Sequence, residues 1–434
     1  MIATAHHHAT EAGVEILESG GNAIDAAVAA AFALGVCEPA ASGLGGQTMM
    51  MIHEASSGRT FALDGSSRAP NRATREIFTP ENAKVGYRSA TVPSTPAALR
   101  YALETYGTLK LAQVLEPAIR LAEAGYRVSE LQNRLTRRER VKLRANSGAP
   151  FFLRDGVRPY PAGAVHRQPV LAETLRRLAK RGIRDFYTGQ IARQIDEDMA
   201  RNGGLIRRDD LAQIPRPIER RPLTCRFGPY RVFTFPPPGA GRTLVEMLNV
   251  YQRLPAALLD LDTAPGAVAL AEIIRTAFLD REDRPFDPNF YAQVGRKKML
   301  SAEYADEVAQ QVSGRVTSQG ETTHLSVMDG EGNVVALTQS IERVYGSCCA
   351  TAELGFLYND YMSAFDYDDI SHPYYLRPNA VPWASVAPTI VFRGRSPWLA
   401  IGSPGSERIT PSILQVLVRL QKQTPFAAVD APRL

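Results

Sequence analysis

The sequence has no long apolar run, and none of its apolar stretches approaches the roughly 18 residues needed to span a bilayer. It also has no block of five or six consecutive basic residues, although its formal net charge is +5. The richest basic patch, residues 134–144, includes Glu139 and is typical of a solvated helix face. With 44% hydrophobic and 22% charged residues, the chain can bury a sizeable core and is not a disordered protein. We therefore expect neither a membrane nor a nucleic acid as partner.

Cysteine is scarce, with four residues in 434. Cys348 and Cys349 are adjacent, which suits neither a routine disulfide nor a C-x-x-C metal site. The three histidines His6–His8 are consecutive, and because consecutive residues do not share a helix face, we expect no metal site there. The chain begins at Met1 and enters an amphipathic helix without a signal-peptide pattern, so we expect a cytoplasmic protein.

The first part of the chain predicts helices that glycines end. A helix over Thr10–Leu17 leads to Gly20 and Gly21, and Asn22 can cap a second helix over Ala23–Val36. The further predicted elements are a turn at 42–46, a strand at 49–52, helical periodicity over 168–201, a strand at 230–235, a helix at 244–254 and a polar surface segment at 280–296. No internal repeat and no linker divides the chain, so we expect one unit over 1–434.

After residue 322 the pattern changes to paired strands. Four strands are predicted, at 324–328, 334–338, 389–392 and 398–401. The turn Asp329–Asn333 between the first two predicts a hairpin. If this hairpin is symmetric about Glu331, Thr322 faces Ser340 with the two Cβ atoms roughly 5 Å apart. Two interpretations stay open: an ordinary structural pair of hydroxyls, or a Ser340 hydroxyl that holds and polarises the hydroxyl of Thr322.

These residues resemble the processing site of the γ-glutamyltranspeptidase (glutathione hydrolase) family. The motif consists of Thr322–Val327 followed by Asp329, Gly332, Asn333 and Thr338. Other segments resemble family signatures in the same order: His8–Gly13, Gly20–Ala27, Ser42–Gly46, Asn202–Leu205, Pro236–Pro238 and Gly402–Gly405. The resemblance therefore covers nearly the whole chain.

The resemblance implies an α/β fold, the four-layer αββα sandwich of N-terminal-nucleophile hydrolases. It also implies autoprocessing between Glu321 and Thr322 into a large subunit, 1–321, and a small subunit, 322–434, that stay together. Whether copies of the chain assemble into a homo-oligomer is left open.

The resemblance further implies the chemistry. Thr322 would be the nucleophile, and its freed α-amine would act as the base that a weakly nucleophilic hydroxyl needs. Thr323 and Ser340 match the family's supporting hydroxyls. Gly405 and Ser406 fall where the family places the oxyanion-hole amides, which stabilise a tetrahedral anion. No metal and no cofactor is required.

The donor pocket departs from the family pattern at several positions. Ser66 stands where the family has an arginine for the donor carboxylate, and Glu342 stands where it has an asparagine. Tyr361 and Ala364 replace a glutamine and an aspartate that hold the donor's α-amine and carboxylate. Of two paired serines only Ser385 remains. Because a site that hydrogen-bonds a polar group discriminates against analogues that lack it, we expect a donor that is not bound in the usual γ-glutamyl manner.

We expect a small-molecule amide substrate that is cleaved through an acyl-enzyme, as in family relatives that hydrolyse oxamate or remove β-lactam side chains. Arg68, Tyr361 and Arg343 are candidate anchors for a donor carboxylate, with a packing tyrosine and solvated arginines as the alternative. An ordinary γ-glutamyl hydrolase or transferase and a non-catalytic remnant used for binding stay open as alternatives. In the family, further strands follow the part that ends here at Leu434, so we expect a fragment or a shortened homologue.

Overall fold

A computed structural model describes residues 1–213, 217–283 and 322–433. Nearly all of the predicted surface segment at 280–296 lies outside these ranges, as does Glu321 of the predicted cleavage site.

The strands are β1 (Ile2–Thr4), β2 (Gln47–Glu54), β3 (Arg59–Gly65), β4 (Tyr126–Arg127), β5 (Val165–His166), β6 (Ile218–Arg220), β7 (Leu223–Phe227), β8 (Tyr230–Thr234), β9 (Thr323–Met328), β10 (Val334–Ser340), β11 (Thr389–Arg393) and β12 (Ser396–Ile401). The helices are α1 (His7–Glu18), α2 (Ala23–Cys37), α3 (Thr95–Tyr106), α4 (Leu111–Ala124), α5 (Glu130–Arg144), α6 (Ala149–Phe152), α7 (Pro169–Arg181), α8 (Arg184–Thr188), α9 (Gln190–Arg201), α10 (Arg208–Ala212), α11 (Gly241–Tyr251), α12 (Ala264–Asp283), α13 (Ile409–Arg419) and α14 (Pro425–Asp430).

Two antiparallel sheets form the centre of the molecule. The first has the strand order β1-β9-β10-β2-β3-β6, and the second has the order β12-β11-β8-β7. A short ladder of β4 and β5 stands apart from both. The first sheet brings β9 and β10, which come late in the chain, between β1 and β2 from its beginning. The late hairpin is therefore embedded in a sheet built by the first part of the chain.

Alternating side chains of the first sheet belong to two different cores. Leu325, Val335 and Leu337 pack with α1, α2 and α4 in one core. Val334 and Ala336 belong to the other, which lies between the two sheets and extends to α11, α12 and α13. Because successive side chains of a strand point to opposite faces, this pattern requires layers on both sides. The predicted four-layer αββα sandwich is confirmed.

The beginning of α2 is fixed by a capping box. The Asn22 side chain accepts hydrogen bonds from the backbone amides of Ile24 and Asp25, and the Asp25 carboxylate accepts one from the Asn22 amide. The carboxylate of Asp329, in the β9–β10 turn, accepts a further bond of 3.0 Å from the amide of Ala23. These acceptors satisfy amides that a helix N-terminus leaves unpaired. The predicted cap is confirmed, and the late hairpin contributes to it.

The structure refines two predicted helical segments and adds strands that were not predicted. The helical run over 168–201 is three helices, because Gly182 adopts a left-handed φ of 81° and Gly189 separates the next two. The helix predicted at 244–254 begins at Gly241 and ends at Tyr251, since its polar first turn carries no apolar signal. Strands β3, β6 and β7 were not predicted, because their apolar alternation is short or incomplete. No helix within the described ranges has both the length and the apolar character needed to cross a bilayer.

Candidate active site

The β9–β10 hairpin has the register that the sequence predicts. The ladder runs from Val334 opposite Met328 to Gln339 opposite Thr323. Thr322 directly precedes β9 and Ser340 ends β10, so the next pair in this register is Thr322 and Ser340. Thr322 is 6% exposed and Ser340 is 2% exposed, which places both hydroxyls in the interior at this end of the hairpin.

The neighbour of Thr322 is anchored to the end of α2. The Thr323 hydroxyl is fully buried and donates a hydrogen bond to the carboxylate of Glu38, which caps α2. A hydrogen bond to a charged acceptor is stronger than one between neutral groups. Glu38 therefore fixes the backbone from which Thr322 projects. Glu38 was not predicted, because a single charged residue after an apolar helix gives no signal of a partner that is 285 residues away.

Ser340 lies between three groups. Its Oγ accepts a hydrogen bond of 2.9 Å from the backbone amide of Glu342, and its backbone pairs with Gln47 of β2. The Tyr361 hydroxyl interacts with the side chains of both Ser340 and Gln47. Burial raises the pKa of Tyr361 well above its ordinary value, so the phenol stays protonated and can donate. The structure thus brings together Ser340, Glu342 and Tyr361, three site residues that were predicted separately from the sequence.

Two carboxyl groups adjoin this cluster. Glu342 is half-buried with a left-handed φ of 76°, a conformation that is uncommon for a residue other than glycine. Burial raises the pKa of Glu342 to about 7, against the opposing effect of Arg343. Asp360 is fully buried, and its burial together with the negative charge of Glu342 raises its pKa well above the usual range. Arg343 is 45% exposed, and its Nε lies 3.3 Å from Asp360 Oδ2.

The loop from Gly402 to Ser406 runs towards Thr322. The Ser326 hydroxyl donates to the Ala400 carbonyl at 3.0 Å, and the His324 ring lies against Gly402. From Ala400 to Gly402 the contact on β9 moves from Ser326 to His324, so the chain leaves β12 in the direction of Thr322.

Gly405 and Ser406 then adopt left-handed φ angles of 111° and 51° before α13 begins. Within the described residues neither backbone amide donates a hydrogen bond. Backbone amides that are free of intramolecular partners are the kind of donor that can stabilise an oxyanion.

The His324 side chain packs against the start of this loop at Gly402 and is held by two hydrogen bonds. Since the single Ser326 hydroxyl proton goes to the Ala400 carbonyl, Ser326 Oγ must accept from His324 Nε2 at 3.1 Å. His324 Nδ1 then accepts from the Thr338 hydroxyl at 2.9 Å. Burial lowers the pKa of His324 to about 3, so the ring is neutral at physiological pH. His324 is therefore a structural support and not a base.

The remaining predicted donor residues are engaged elsewhere. Ser66 bonds through both its amide and its hydroxyl to Asp64, which is ion-paired with Arg220. An Arg68 guanidinium nitrogen donates to the Asn379 carbonyl at 3.2 Å. Ser385 is 8% exposed and follows the buried Ala384, which lies in the same core as Tyr361.

A groove with a cavity volume of about 610 Å³ lies between α3, α8 and α10, and none of the predicted site residues lines it. Its lining is not a converging set of nucleophile, base and oxyanion donors, so the hairpin remains the candidate active site.

The three histidines at the beginning of α1 behave differently from the prediction. His6 caps the helix in an extended conformation, so its ring folds over those of His7 and His8, with ring centroids 4.6 and 5.3 Å away. Ligand atoms of His7, His8 and Glu11 lie within 4.8 Å of one another. His7 and His8 both belong to α1, yet their ring centroids are 4.0 Å apart, so the expectation that consecutive side chains point apart is wrong for this pair.

The comparisons with known proteins agree with this geometry. The Gamma-glutamyltranspeptidase family matches residues 9–434. The glutathione hydrolase proenzyme of Escherichia coli (strain K12) is 33% identical over 451 residues, which cover 96% of this chain and 77% of that protein. The acylase ACY 1 proenzyme of Pseudomonas sp. (strain SE83) is 34% identical over 463 residues, which cover 100% of this chain and 82% of that protein.

Among solved structures, the cephalosporin acylase from Bacillus halodurans superposes with a TM-score of 0.89 at 30% identity, covering 100% of this chain and 82% of that one. The γ-glutamyltranspeptidase of Helicobacter pylori superposes with a TM-score of 0.68 at 34% identity, covering 73% of this chain and 92% of that one. With the four-layer fold, these similarities show that the chain is an N-terminal-nucleophile hydrolase, an enzyme that belongs to the γ-glutamyltranspeptidase family.

Proposed function

We propose that this amide hydrolase or acyltransferase cleaves its own chain before Thr322 and then uses Thr322 as its nucleophile. The observation that carries the proposal is the position of Thr322. It is a buried threonine directly before β9, in register with Ser340, and the chain that leaves β12 towards it carries the free amides of Gly405 and Ser406. Cleavage would give subunits 1–321 and 322–434, which the six-stranded sheet would hold together because β9 and β10 lie between β1 and β2.

The proposed reaction uses groups of this chain alone. In the cleaved enzyme, the Thr322 α-amine removes the hydroxyl proton while Oγ attacks the amide carbonyl of the donor. The amides of Gly405 and Ser406 stabilise the tetrahedral anion. The C–N bond then breaks, the leaving amine takes the proton, and an ester joins the acyl group to Thr322. Attack by water or an acceptor amine on this ester releases the acyl group and restores the hydroxyl.

The substrate is proposed to be an amide of a small carboxylic acid that is not gripped as a γ-glutamyl donor. Ser66 and Arg68, at and beside the position of the family's carboxylate-binding arginine, bond to Asp64 and Asn379. Tyr361, at the position of the family's glutamine, is buried against Ser340. The acylase names of some relatives agree with a donor of this kind.

Denaturing gel electrophoresis and intact-mass analysis test the proposal. The wild-type chain should yield two pieces that begin at Met1 and Thr322, and Thr322→Ala should stay whole. Thr322→Ser is the matched control, because it keeps a hydroxyl and an α-amine and should still split. The split protein should hydrolyse small N-acyl anilides. A wild-type chain that stays whole after purification and long incubation would contradict the proposal.

A further inference from the structure

An acidic cluster lies beside the proposed nucleophile. Glu342 and Asp360 interact electrostatically with each other, and Glu407 is a third acidic residue that acts on Glu342. Among the described residues, Arg343 is the cation that acts on both Glu342 and Asp360, and its side chain is 45% exposed. Lys142 also acts on Asp360, but it is ion-paired with Glu139. Placing two carboxyl groups in a poorly solvated region is costly unless a positive charge or hydrogen-bond donors compensate. A half-exposed arginine supplies only part of that compensation.

One atom of this cluster lacks a donor. Asp360 is 0% exposed, and its carboxylate accepts a hydrogen bond of 2.9 Å from the backbone amide of Arg343 through Oδ1. Oδ2 makes no hydrogen bond within the described residues, although Arg343 Nε lies 3.3 Å away without hydrogen-bond geometry. Native proteins leave few buried polar atoms unpaired, and such an atom calls for a ligand or solvent donor.

The cluster is connected to the reaction centre. The backbone amide of Glu342 bonds to Ser340 Oγ, the hydroxyl that faces Thr322. The Tyr361 phenol interacts with Ser340 and with the Glu342 carboxylate. A group bound by Glu342 and Asp360 would therefore lie a few atoms from a carbonyl placed on Thr322.

We propose that Glu342 and Asp360 form a donor subsite that selects acyl groups carrying a protonated amine and no carboxylate. This inference rests on the proposed function. An ammonium group brings the positive charge and the hydrogen-bond donors that the cluster lacks. A carboxylate at the same place would instead meet the acidic groups of Glu342, Asp360 and Glu407, while Ser66 and Arg68 bond to Asp64 and Asn379.

Four p-nitroanilides of similar length test the proposal: butyryl, 4-aminobutyryl, glutaryl and γ-glutamyl. The butyryl group carries no charge, the 4-aminobutyryl group carries an amine, and the glutaryl group carries a carboxylate. The γ-glutamyl group carries both an amine and a carboxylate. We expect the amine-bearing compound to show a higher kcat/KM than the butyryl compound, by about 10- to 100-fold. The glutaryl compound should fall below the butyryl compound. Enzyme-free blanks correct for spontaneous cyclisation of the amino donor.

Glu342→Gln is the decisive variant, because it keeps the shape and removes the charge. It should lower the ratio of the kcat/KM values for the 4-aminobutyryl and butyryl donors by about 10-fold or more. Glu353→Gln removes a negative charge from an exposed position and should leave the ratio unchanged. Self-cleavage of each variant shows that it has folded.

The pH dependence of the same ratio gives a second readout. The titration of the Thr322 amine affects both donors alike and cancels in the ratio. For the wild type the ratio should rise between about pH 6 and pH 8 as Glu342 ionises, since burial raises its pKa to about 7. The charged and titratable groups around it are Asp360, Tyr361, Arg343 and Glu407. Glu342→Gln should abolish the rise.

The outcomes separate this inference from the proposed function. Preference for the glutaryl or γ-glutamyl donor, or an unchanged ratio in Glu342→Gln, overturns the inference and leaves the proposed function standing. A wild-type chain that splits before Thr322 but hydrolyses none of the four anilides overturns both.

Discussion

Replacing Gly402 with alanine should disable the enzyme by displacing the loop that follows β12. The added Cβ would lie 2.2 Å from Nδ1 and 2.4 Å from Cε1 of His324. Heavy atoms pack best at about 3.5–4.0 Å, so these contacts are too short by more than about 1 Å. The His324 ring cannot rotate away without breaking its hydrogen bonds to Thr338 and Ser326. Either the ring or the 402–406 loop must therefore move.

The expected magnitudes follow from that overlap. Overpacking of this kind costs about 1–3 kcal/mol of unfolding free energy. A shift of about 1 Å in the amides of Gly405 and Ser406 would lower kcat about 100-fold. KM should change much less, because the proposed donor subsite at Glu342 and Asp360 is on a different segment. Unfolding free energies are best measured by urea titration in a Thr322→Ala background, where the chain stays whole.

A double-mutant cycle tests the assignment of the clash. His324→Ala combined with Gly402→Ala should recover at least about 10-fold of the kcat lost in Gly402→Ala, because the methyl group then enters the space vacated by the ring. Gly330→Ala is the matched control, since nothing lies within 4 Å of its added Cβ. The reasoning is refuted if Gly402→Ala behaves like Gly330→Ala in both kcat and unfolding free energy, or if removing the ring restores nothing.

Three further predictions concern the anchoring of the hairpin. Asp329→Asn should destabilise the chain by about 1–2 kcal/mol in urea at pH 7, because the carboxylate accepts from the amide of Ala23 and from its own turn. Burial acts to raise the pKa of Asp329, but the hydrogen bonds outweigh it, and the pKa lies below its ordinary value. The difference in unfolding free energy between wild type and variant should therefore shrink as the pH falls below about 4. A difference that stays constant with pH would contradict the assignment. Thr323→Val should slow self-cleavage about 10-fold, followed on gels, since it removes the hydrogen bond that Thr323 donates to the Glu38 carboxylate. A Thr323→Ser control should retain most of the rate. Asp25→Ala should lower the unfolding free energy by about 2 kcal/mol or more, measured from the urea midpoint. The substitution removes the capping box of α2 and the hydrogen bonds to two backbone amides that follow α3. An unchanged midpoint would show that the cap is dispensable.

Local signals predicted a large part of the fold. The Asn22 cap and the β9–β10 register depend on residues close together in sequence, and both are as predicted. The stacking of two sheets between helical layers was implied by the resemblance to the family, and the alternating burial of β10 agrees with it. The incomplete patterns of β3, β6 and β7 gave no such signal, because tertiary packing and not their own periodicity makes them strands.

The candidate site was predicted less completely than the fold. Thr322, Ser340, Gly405 and Ser406 were singled out from the motif, and the structure brings the hairpin and the loop together. The partner of Thr323 was not predicted, because Glu38 is distant in sequence and carries no motif.

The sequence by itself determined which hydroxyls face each other, because a hairpin's register is set by its turn and by the strict alternation of its strands. The tertiary structure alone decided what surrounds those hydroxyls. Arg68 turns to Asn379, while Glu342 and Asp360 converge on the side of Ser340. The direction and charge state of a long polar side chain depend on which layers cover it and how much water they exclude, and no pattern of neighbours along the chain contains that information.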